Sequence, residues 1–514
     1  MEQLQGMDAS FVALETSQSP MHIGSILIYD PSTAPNGFVR FKDILRFYRE
    51  RMHLSKTIRQ KLVKVPLNID YPYWMEDPDF DLEYHVRHIA LPKPGDWRQL
   101  CIQAARLFAR PLDLTRPPWE FTVIEGLDNV PGIPKGSFAV VTKVHHAAID
   151  GMSGIDLLQA LHTPTPSVAP PNEPDTWKPD KRPGKLGMFA KGYVRSLINP
   201  VRQVGVAAQA VPGVYKAARG MMRGEYGLKA AIEAPKTRFN RKISPHRVVE
   251  GRVFDLAHIK ALRSLAEGAK VNDVMLTIIG GGLHKYLKHH GELPDKTMTA
   301  MAPISVRTEG EKNTMGNQVA AMIAPLGTHI EDASERMAYV YNETSRSKAM
   351  TNALGARQMT EASKISPALF MALGAQAYSR LGVANFTSPV INTVVTNVPG
   401  PAVPIYSVGA KLVSMQGLLC LIDGLALGHV VQSYIREATI TFTADRDVMP
   451  DPEFYAQCLQ DSFDEMADAA GLDLSPPKPA PARKKPAAAA KSTTPAKRKP
   501  RATAAKKKPT ANTN

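Results

Sequence analysis

Cysteine is nearly absent from the 514 residues. The three present (Cys101, Cys420, Cys458) are odd in number, far apart and never spaced as CxxC. That excludes a disulfide framework and a cysteine-based zinc site, and it fits a reducing compartment. The opening MEQLQGMDASFVALE has neither a basic stretch nor an apolar run, so it does not read as a signal peptide. Long apolar runs are missing too. The most membrane-like stretch, Gly417–Val431, is 15 residues long and contains Asp423, whereas a spanning helix needs roughly 20 apolar residues. A cytoplasmic protein without a transmembrane helix is expected. There is no GxSxG elbow, no GxGxxG, no GKS/T and no HExxH. These absences leave no serine-hydrolase nucleophile, phosphate loop or zinc-peptidase helix to build on.

Acidic residues are missing from one place only. Residues 475–514 hold 12 Lys and Arg and no Asp or Glu. The net charge of +15 therefore belongs mainly to this tail, because the other 474 residues carry 51 basic against 48 acidic side chains, a net of +3. The body is close to neutral, which argues against a nucleic-acid-binding role for the whole chain. The tail is Lys, Ala and Pro with nothing to bury, a composition that predicts disorder. Its charge suits an anionic surface, phospholipid headgroups or nucleic acid.

Two further composition shifts divide the body. Thr163–Gly184 is dense in proline and reads as a stiff exposed linker. Lys185–Lys229 holds eight basic residues and one acid, with Val194, Leu197, Ile198 and Val201 on one helical face. Such a helix fits a lipid interface, with basic side chains reaching outward, or an ordinary surface helix broken by Pro200, Pro212 and Gly213. The expected organisation is thus residues 1–162 as one domain, 163–234 as linker and basic segment, 235–474 as a second domain, and 475–514 as tail. Both domains mix strand-like patterns (SFAVVTKVHH, INTVVTNVPGP, EATITFTADRD) with a helical one (Asn272–His290). The fold class is α/β with mixed sheets.

The chemistry concentrates in KVHHAAIDGMSGIDLLQAL, Lys143–Leu161. A strand pattern ends in His145 and His146, a turn carries Asp150 and Gly151, and a helical pattern follows, with capping-box-like Ser153 and Asp156. Adjacent strand residues point to opposite faces, so one histidine of the pair faces any given cavity. Imidazole suits proton abstraction from a hydroxyl near neutral pH. The residues taken alone also allow a metal site or a pair of buried structural histidines.

The complete string HHAAIDG resembles the HHxxxDG motif of the bacterial wax ester synthase/acyl-CoA:diacylglycerol acyltransferase family, within the wider CoA-dependent acyltransferase (chloramphenicol acetyltransferase-like) fold. Other blocks follow in that family's order: MDASFVALETSQSPMHIGS (Met7–Ser25), ARPLDLTRPPWEF (Ala109–Phe121), VNDVML (Val271–Leu276), MAPISVRT (Met301–Thr308), GNQ and TNVPGP (Thr396–Pro401). The likeness runs from about Met7 to Leu474, and within the family it looks like a triacylglycerol synthase of the actinobacterial kind. Two positions depart from the pattern: Pro118 stands where leucine is usual, and GLALGHVVQSY (Gly424–Tyr434) is less polar than its counterpart.

The resemblance implies two α/β halves with a channel between them and His146 near its middle. His146 would be the general base, His145 and Gly151 would shape the site, and Asp150 would hold the turn, with Arg307 as its partner. Asn272 and Asp273 would support the site or cap a helix, and Ser305 or Asn397 would serve the oxyanion. The implied reaction moves a long-chain acyl group from acyl-CoA, a co-substrate and not a cofactor, to diacylglycerol or a long-chain alcohol. No metal is implied. Basic segments would hold the protein at the membrane's inner face or on lipid droplets. Three rival classes remain open: a non-catalytic lipid-droplet scaffold, a condensation-type enzyme on carrier-bound substrates, and DNA contact through the tail. The triple glycine Gly280–Gly282 reads as helix packing.

Overall fold

The computed structural model describes residues 2–4, 6–66, 70–149, 153–178, 184, 187–188, 190, 234–305, 319–353 and 389–474. The basic segment around Val194–Val201, the tail, Asp150, Gly151 and Arg307 lie outside the described residues, as do the side chains of Ser153, Asp156 and Ser305.

The first six-stranded sheet runs in the order β12 (Tyr406–Ser407), β13 (Ala410–Leu418), β2 (His22–Asp30), β7 (Ser137–His145), β6 (Trp119–Leu127) and β5 (Val86–Ala90). Its central strands are rich in Ile, Val and Phe and are covered on both faces. Leu27, Tyr29, Phe121, Val140 and Val144 meet Ile44, Phe47 and Tyr48 of the helix Phe41–Arg49. Ile26, Ile28, Ile124, Ala139 and Val141 meet Leu100, Ala104 and Phe108 of the helix Trp97–Phe108. This explains why SFAVVTKVH is apolar at nearly every position and alternates only weakly: a strand between two helices has no wet face. The helix Trp97–Phe108 starts from a capping box in which Asp96 and Gln99 satisfy each other's backbone N–H groups.

The second six-stranded sheet has the order β10 (Val319–Pro325), β9 (Thr299–Ser305), β11 (Thr393–Pro399), β14 (Leu427–Tyr434), β15 (Glu437–Asp445) and β8 (Arg247–Asp255). Parallel pairs (β5–β6, β11–β14, β9–β11) sit among antiparallel ones, so both sheets are mixed. The helix Val271–His289 packs here through its glycines. A Cβ on Gly280 would lie 1.9 Å from the Leu326 carbonyl oxygen, and one on Gly282 2.7 Å from Leu459 of the helix Pro452–Ala469. The triple glycine is a packing surface.

β13 belongs to the second half of the sequence yet pairs with β2 in the first sheet over Lys411–Leu418. The chain then turns and enters the second sheet as β14. The most membrane-like run of the sequence is therefore strand, loop and strand. No helix among the described residues is long and apolar enough to cross a membrane. Residues 163–178 of the proline-rich linker are mostly exposed, pinned where Asp175 meets Arg59 at 2.9 Å and where the Arg59 guanidinium lies 4.6 Å over the Trp177 ring. A small third sheet joins β1 (Glu2–Gln3), β4 (Tyr73–Glu76) and β3 (Gln60–Val63).

Candidate active site

β7 delivers the histidine pair to the end of the first sheet. The His145 N–H donates to the Pro118 carbonyl at 2.9 Å. Proline in place of leucine at 118 keeps the one backbone group this contact needs, since proline lacks an N–H but retains its carbonyl. The strand stops at His145, and His146–Ala148 forms a single 3-10 turn. The His145 ring caps that turn, with Nδ1 accepting the Ala147 N–H at 3.1 Å. An Nδ1 lone pair used in this way assigns the proton of the neutral ring to Nε2. His145 Nε2 faces the Glu15 carboxylate at 3.6 Å, and the side chain is wholly buried. Because Nδ1 is engaged by backbone, this ring is poorly placed to give that nitrogen to a metal.

His146 is different: it is only partly buried. Its N–H donates to the Met21 carbonyl at 2.8 Å, tying the turn to the start of β2. Its ring lies flat on Phe11, with centroids 3.8 Å apart and planes 12° from parallel. Nδ1 is buried. Removal from water pushes the His146 pKa from 6.5 down to about 4, and the neighbouring His145 adds to the effect. Burial of an imidazole disfavours its charged form.

Behind the pair sits His22, the register partner of His145 across β2 and β7. It is fully buried and bonded through Nε2 to the Phe108 carbonyl at 2.6 Å. Burial first, and then the nearby Lys143 charge, hold its pKa at about 3. Lys143, also buried, meets Glu120 at 3.2 Å; burial lowers its pKa, opposed by that carboxylate. The loop between the helix Gly6–Leu14 and β2 is held by β8 and by the β13–β14 connection: Arg247 donates to the Gln18 carbonyl at 2.5 Å, and Ser19 donates to the Leu421 carbonyl at 2.5 Å.

The structure brings His145 and His146 together at a strand-to-helix junction, and the helix that follows spans Ser153–Ala160. Asn272 and Asp273 sit at the start of the helix Val271–His289. Asp273 accepts the Lys270 N–H at 2.9 Å and the Thr344 hydroxyl at 3.1 Å, with Lys348 at 3.7 Å, and works as a cap for the helix. Asn272 accepts from Asn397 Nδ2 at 3.2 Å, so two of the residues singled out in the sequence meet each other. No hydrogen bond or ion pair joins either to the histidine pair among the described residues. The less polar segment at β14 places His429 in the core, with both ring nitrogens engaged by Tyr455 (2.7 Å) and Thr393 (3.1 Å). Burial raises the pKa of all three cysteines, Cys420 to about 11 and Cys458 to about 12, so none is a ready thiolate.

Sequence reasoning missed Phe11, Glu15 and His22 as neighbours of the pair. Phe11 and Glu15 are four residues apart, which puts them on one side of a helix. Nothing in the sequence says that this side lands on residues about 130 positions away.

Residues 4–275 match the wax ester synthase/diacylglycerol acyltransferase catalytic domain, and residues 315–467 match the C-terminal domain of the same group. A Mycobacterium tuberculosis protein named as a candidate diacylglycerol O-acyltransferase is 31% identical over 483 residues, 91% of this chain and all of its own length. A solved wax ester synthase/diacylglycerol acyltransferase from Marinobacter aquaeolei shares the fold (TM-score 0.63, 24% identity, 91% of this chain and 100% of that one). So does the starter condensation domain of rhizomide synthetase, solved with C8-CoA (TM-score 0.51, 13% identity, 91% and 95%). On these matches the chain is an acyltransferase that belongs to the wax ester synthase/diacylglycerol acyltransferase family.

Proposed function

We propose that this acyltransferase moves a long-chain fatty acyl group from acyl-CoA to diacylglycerol, forming triacylglycerol, with His146 as the general base. The observation that carries the base assignment is the contrast within the pair. His145 is wholly buried and committed to capping its turn, while His146 is partly open and held neutral by burial at working pH. In this reading Nε2 of His146 takes the proton from the acceptor hydroxyl. The oxygen forms its bond to the thioester carbon, the carbon–sulfur bond breaks, and the CoA thiolate leaves. The imidazolium then returns its proton to the thiolate, and CoA–SH and the new ester remain. The direct transfer needs no acyl-enzyme, consistent with three cysteines whose pKa values are raised. Asp150 and Gly151 would shape the turn after the pair, and Asn272 with Asn397 would line the other half of the site.

Diacylglycerol is favoured over a long-chain alcohol because the mycobacterial relatives carry diacylglycerol O-acyltransferase names. Purified protein given palmitoyl-CoA with dioleoylglycerol or hexadecanol should yield triacylglycerol as the faster product. A faster wax ester would overturn the acceptor assignment. The 12 basic residues of the tail would hold the protein at an anionic lipid surface where acceptor and product reside. Flotation with anionic liposomes should weaken when residues 475–514 are deleted, and equal flotation would remove the tail from that role.

A further inference from the structure

The N-terminal helix Gly6–Leu14 and the residue that follows it are not required by the proton-transfer scheme above, yet they touch both histidines. Phe11 lies face to face on the His146 ring at 3.8 Å, and Glu15, one turn later, faces His145 Nε2 at 3.6 Å. The same carboxylate accepts the Met21 N–H at 3.4 Å, and Met21 in turn accepts the His146 N–H at 2.8 Å. One side of one short segment therefore meets the ring of His146 and the ring of His145, and through Met21 it is tied to the backbone of His146.

We propose that Phe11 and Glu15 are positioning residues for the His146 base: the Phe11 face fixes the plane of the imidazole and keeps water off it, and Glu15 fixes His145 and hence the turn that carries His146. The proposal rests on the reading of His146 as the base.

The physical case has two parts. A histidine beginning a 3-10 turn has its backbone fixed by hydrogen bonds but its ring free to rotate about two side-chain torsions. Among the described residues no other residue hydrogen-bonds the buried Nδ1 of His146 to set that rotation. Stacking supplies what a hydrogen bond would otherwise give, at roughly 0.5–1.5 kcal/mol for an aromatic pair. A general base must hold its nitrogen within about 3 Å of the proton it takes, so a ring free to turn loses rate and not substrate affinity. The second part is solvent. Removal from water is the largest cause of the low His146 pKa, and Phe11 covers one whole face of the ring. Among the described residues, the titratable groups of the elements packed around it are Asp8 and Glu15 from the N-terminal segment, His145 and Lys143 from β7 and His22 from β2. Among the described residues His145 is the one neighbour besides burial that lowers the His146 pKa, so opening the Phe11 face acts through water.

The test uses the full chain and four substitutions: Phe11→Ala, Phe11→Tyr, Glu15→Gln and His146→Ala. Initial rates of CoA release with palmitoyl-CoA and dioleoylglycerol are taken across pH. Phe11→Ala should lower kcat about 10-fold or more, in the lower range for a misplaced acid–base group, with KM within about threefold. Its acid limb should move up from about 4 toward 6.5. Phe11→Tyr, which keeps the flat face, should recover most of the rate and the original limb. Glu15→Gln should lower kcat with little change in KM. A Phe11→Ala enzyme with full kcat, or with reduced kcat and an unmoved acid limb, would overturn the positioning role and leave the ring as packing. His146→Ala separates the two claims. If it is active, the base assignment itself fails; if it is inactive while Phe11→Ala is normal, only the present inference fails.

Discussion

Lowering the pH distinguishes a buried catalytic imidazole from an ordinary one. Burial holds His146 at about 4, against 6.5 for the group in water. At about pH 5 an imidazole with the lower value is roughly 90% neutral, whereas one with the ordinary value is only about 3% neutral. Because kcat/KM follows the ionisation of the free enzyme, its value at about pH 5 should stay near nine-tenths of the plateau, and not fall roughly 30-fold. The sign follows from the direction of the shift: the base works when neutral, and a lowered pKa extends the neutral form to lower pH. The assay is thiol release at palmitoyl-CoA well below KM. A control is incubated at the acid pH and then measured at about pH 8, so that unfolding is not counted as titration. Wild type should show an acid limb well below 6, and a limb centred near 6.5 would refute the claim that burial sets the protonation of this base.

Gly280→Ala tests the packing of the central helix. Alanine gains up to about 1 kcal/mol in helix propensity over glycine, but its Cβ would lie 1.9 Å from the backbone oxygen of Leu326. Overpacking of this kind typically costs about 1–3 kcal/mol or more. The clash should win and the denaturation midpoint should fall, whereas a raised midpoint would show that this helix is not packed on Leu326 in this way. Acid stability follows from His22 and His429, both fully buried with pKa values pushed down to about 3. As pH drops below 6.5 the unfolded chain takes up protons that the folded chain refuses, so stability is present at neutral pH and is lost on acidification. The slope is at most about 1.4 kcal/mol per pH unit for each histidine. Denaturant midpoints should decline between about pH 6.5 and 5, and a flat profile would mean these side chains are protonated in the native state.

Much of the architecture was legible because its strands and helices carry strong local patterns. The run ending at His145, the helix over Val271–His289 and the strand at Glu437–Asp445 all stand where periodicity placed them. HHAAIDG, with blocks in a fixed order around it, pointed to the family. What was not legible is long-range. Nothing local in AKLVSMQGL says that β13 crosses into the first sheet beside β2. The pattern SFAVVTKVHH marks a strand, and only the two helices flanking the sheet show that both its faces are covered. Asp273 illustrates a different limit. A carboxylate at the third position of a helix serves equally as a cap or as a site residue in sequence terms, and its bonds to Lys270 and Thr344 show the capping geometry. The approach of Phe11 and Glu15 to the histidines depends on how the opening helix folds back, which no local signal encodes.

The central claim is that His146 takes the acceptor's proton in acyl transfer from CoA. The most direct measurement is the rate of CoA thiol release by purified protein with palmitoyl-CoA and dioleoylglycerol, wild type against His146→Ala. A general base contributes about 100- to 10,000-fold, so the variant should lose at least two orders of magnitude in kcat while still binding palmitoyl-CoA. Full thiol release by His146→Ala would contradict the assignment of the base. No thiol release by wild type with either dioleoylglycerol or hexadecanol would contradict the proposed transfer to these acceptors.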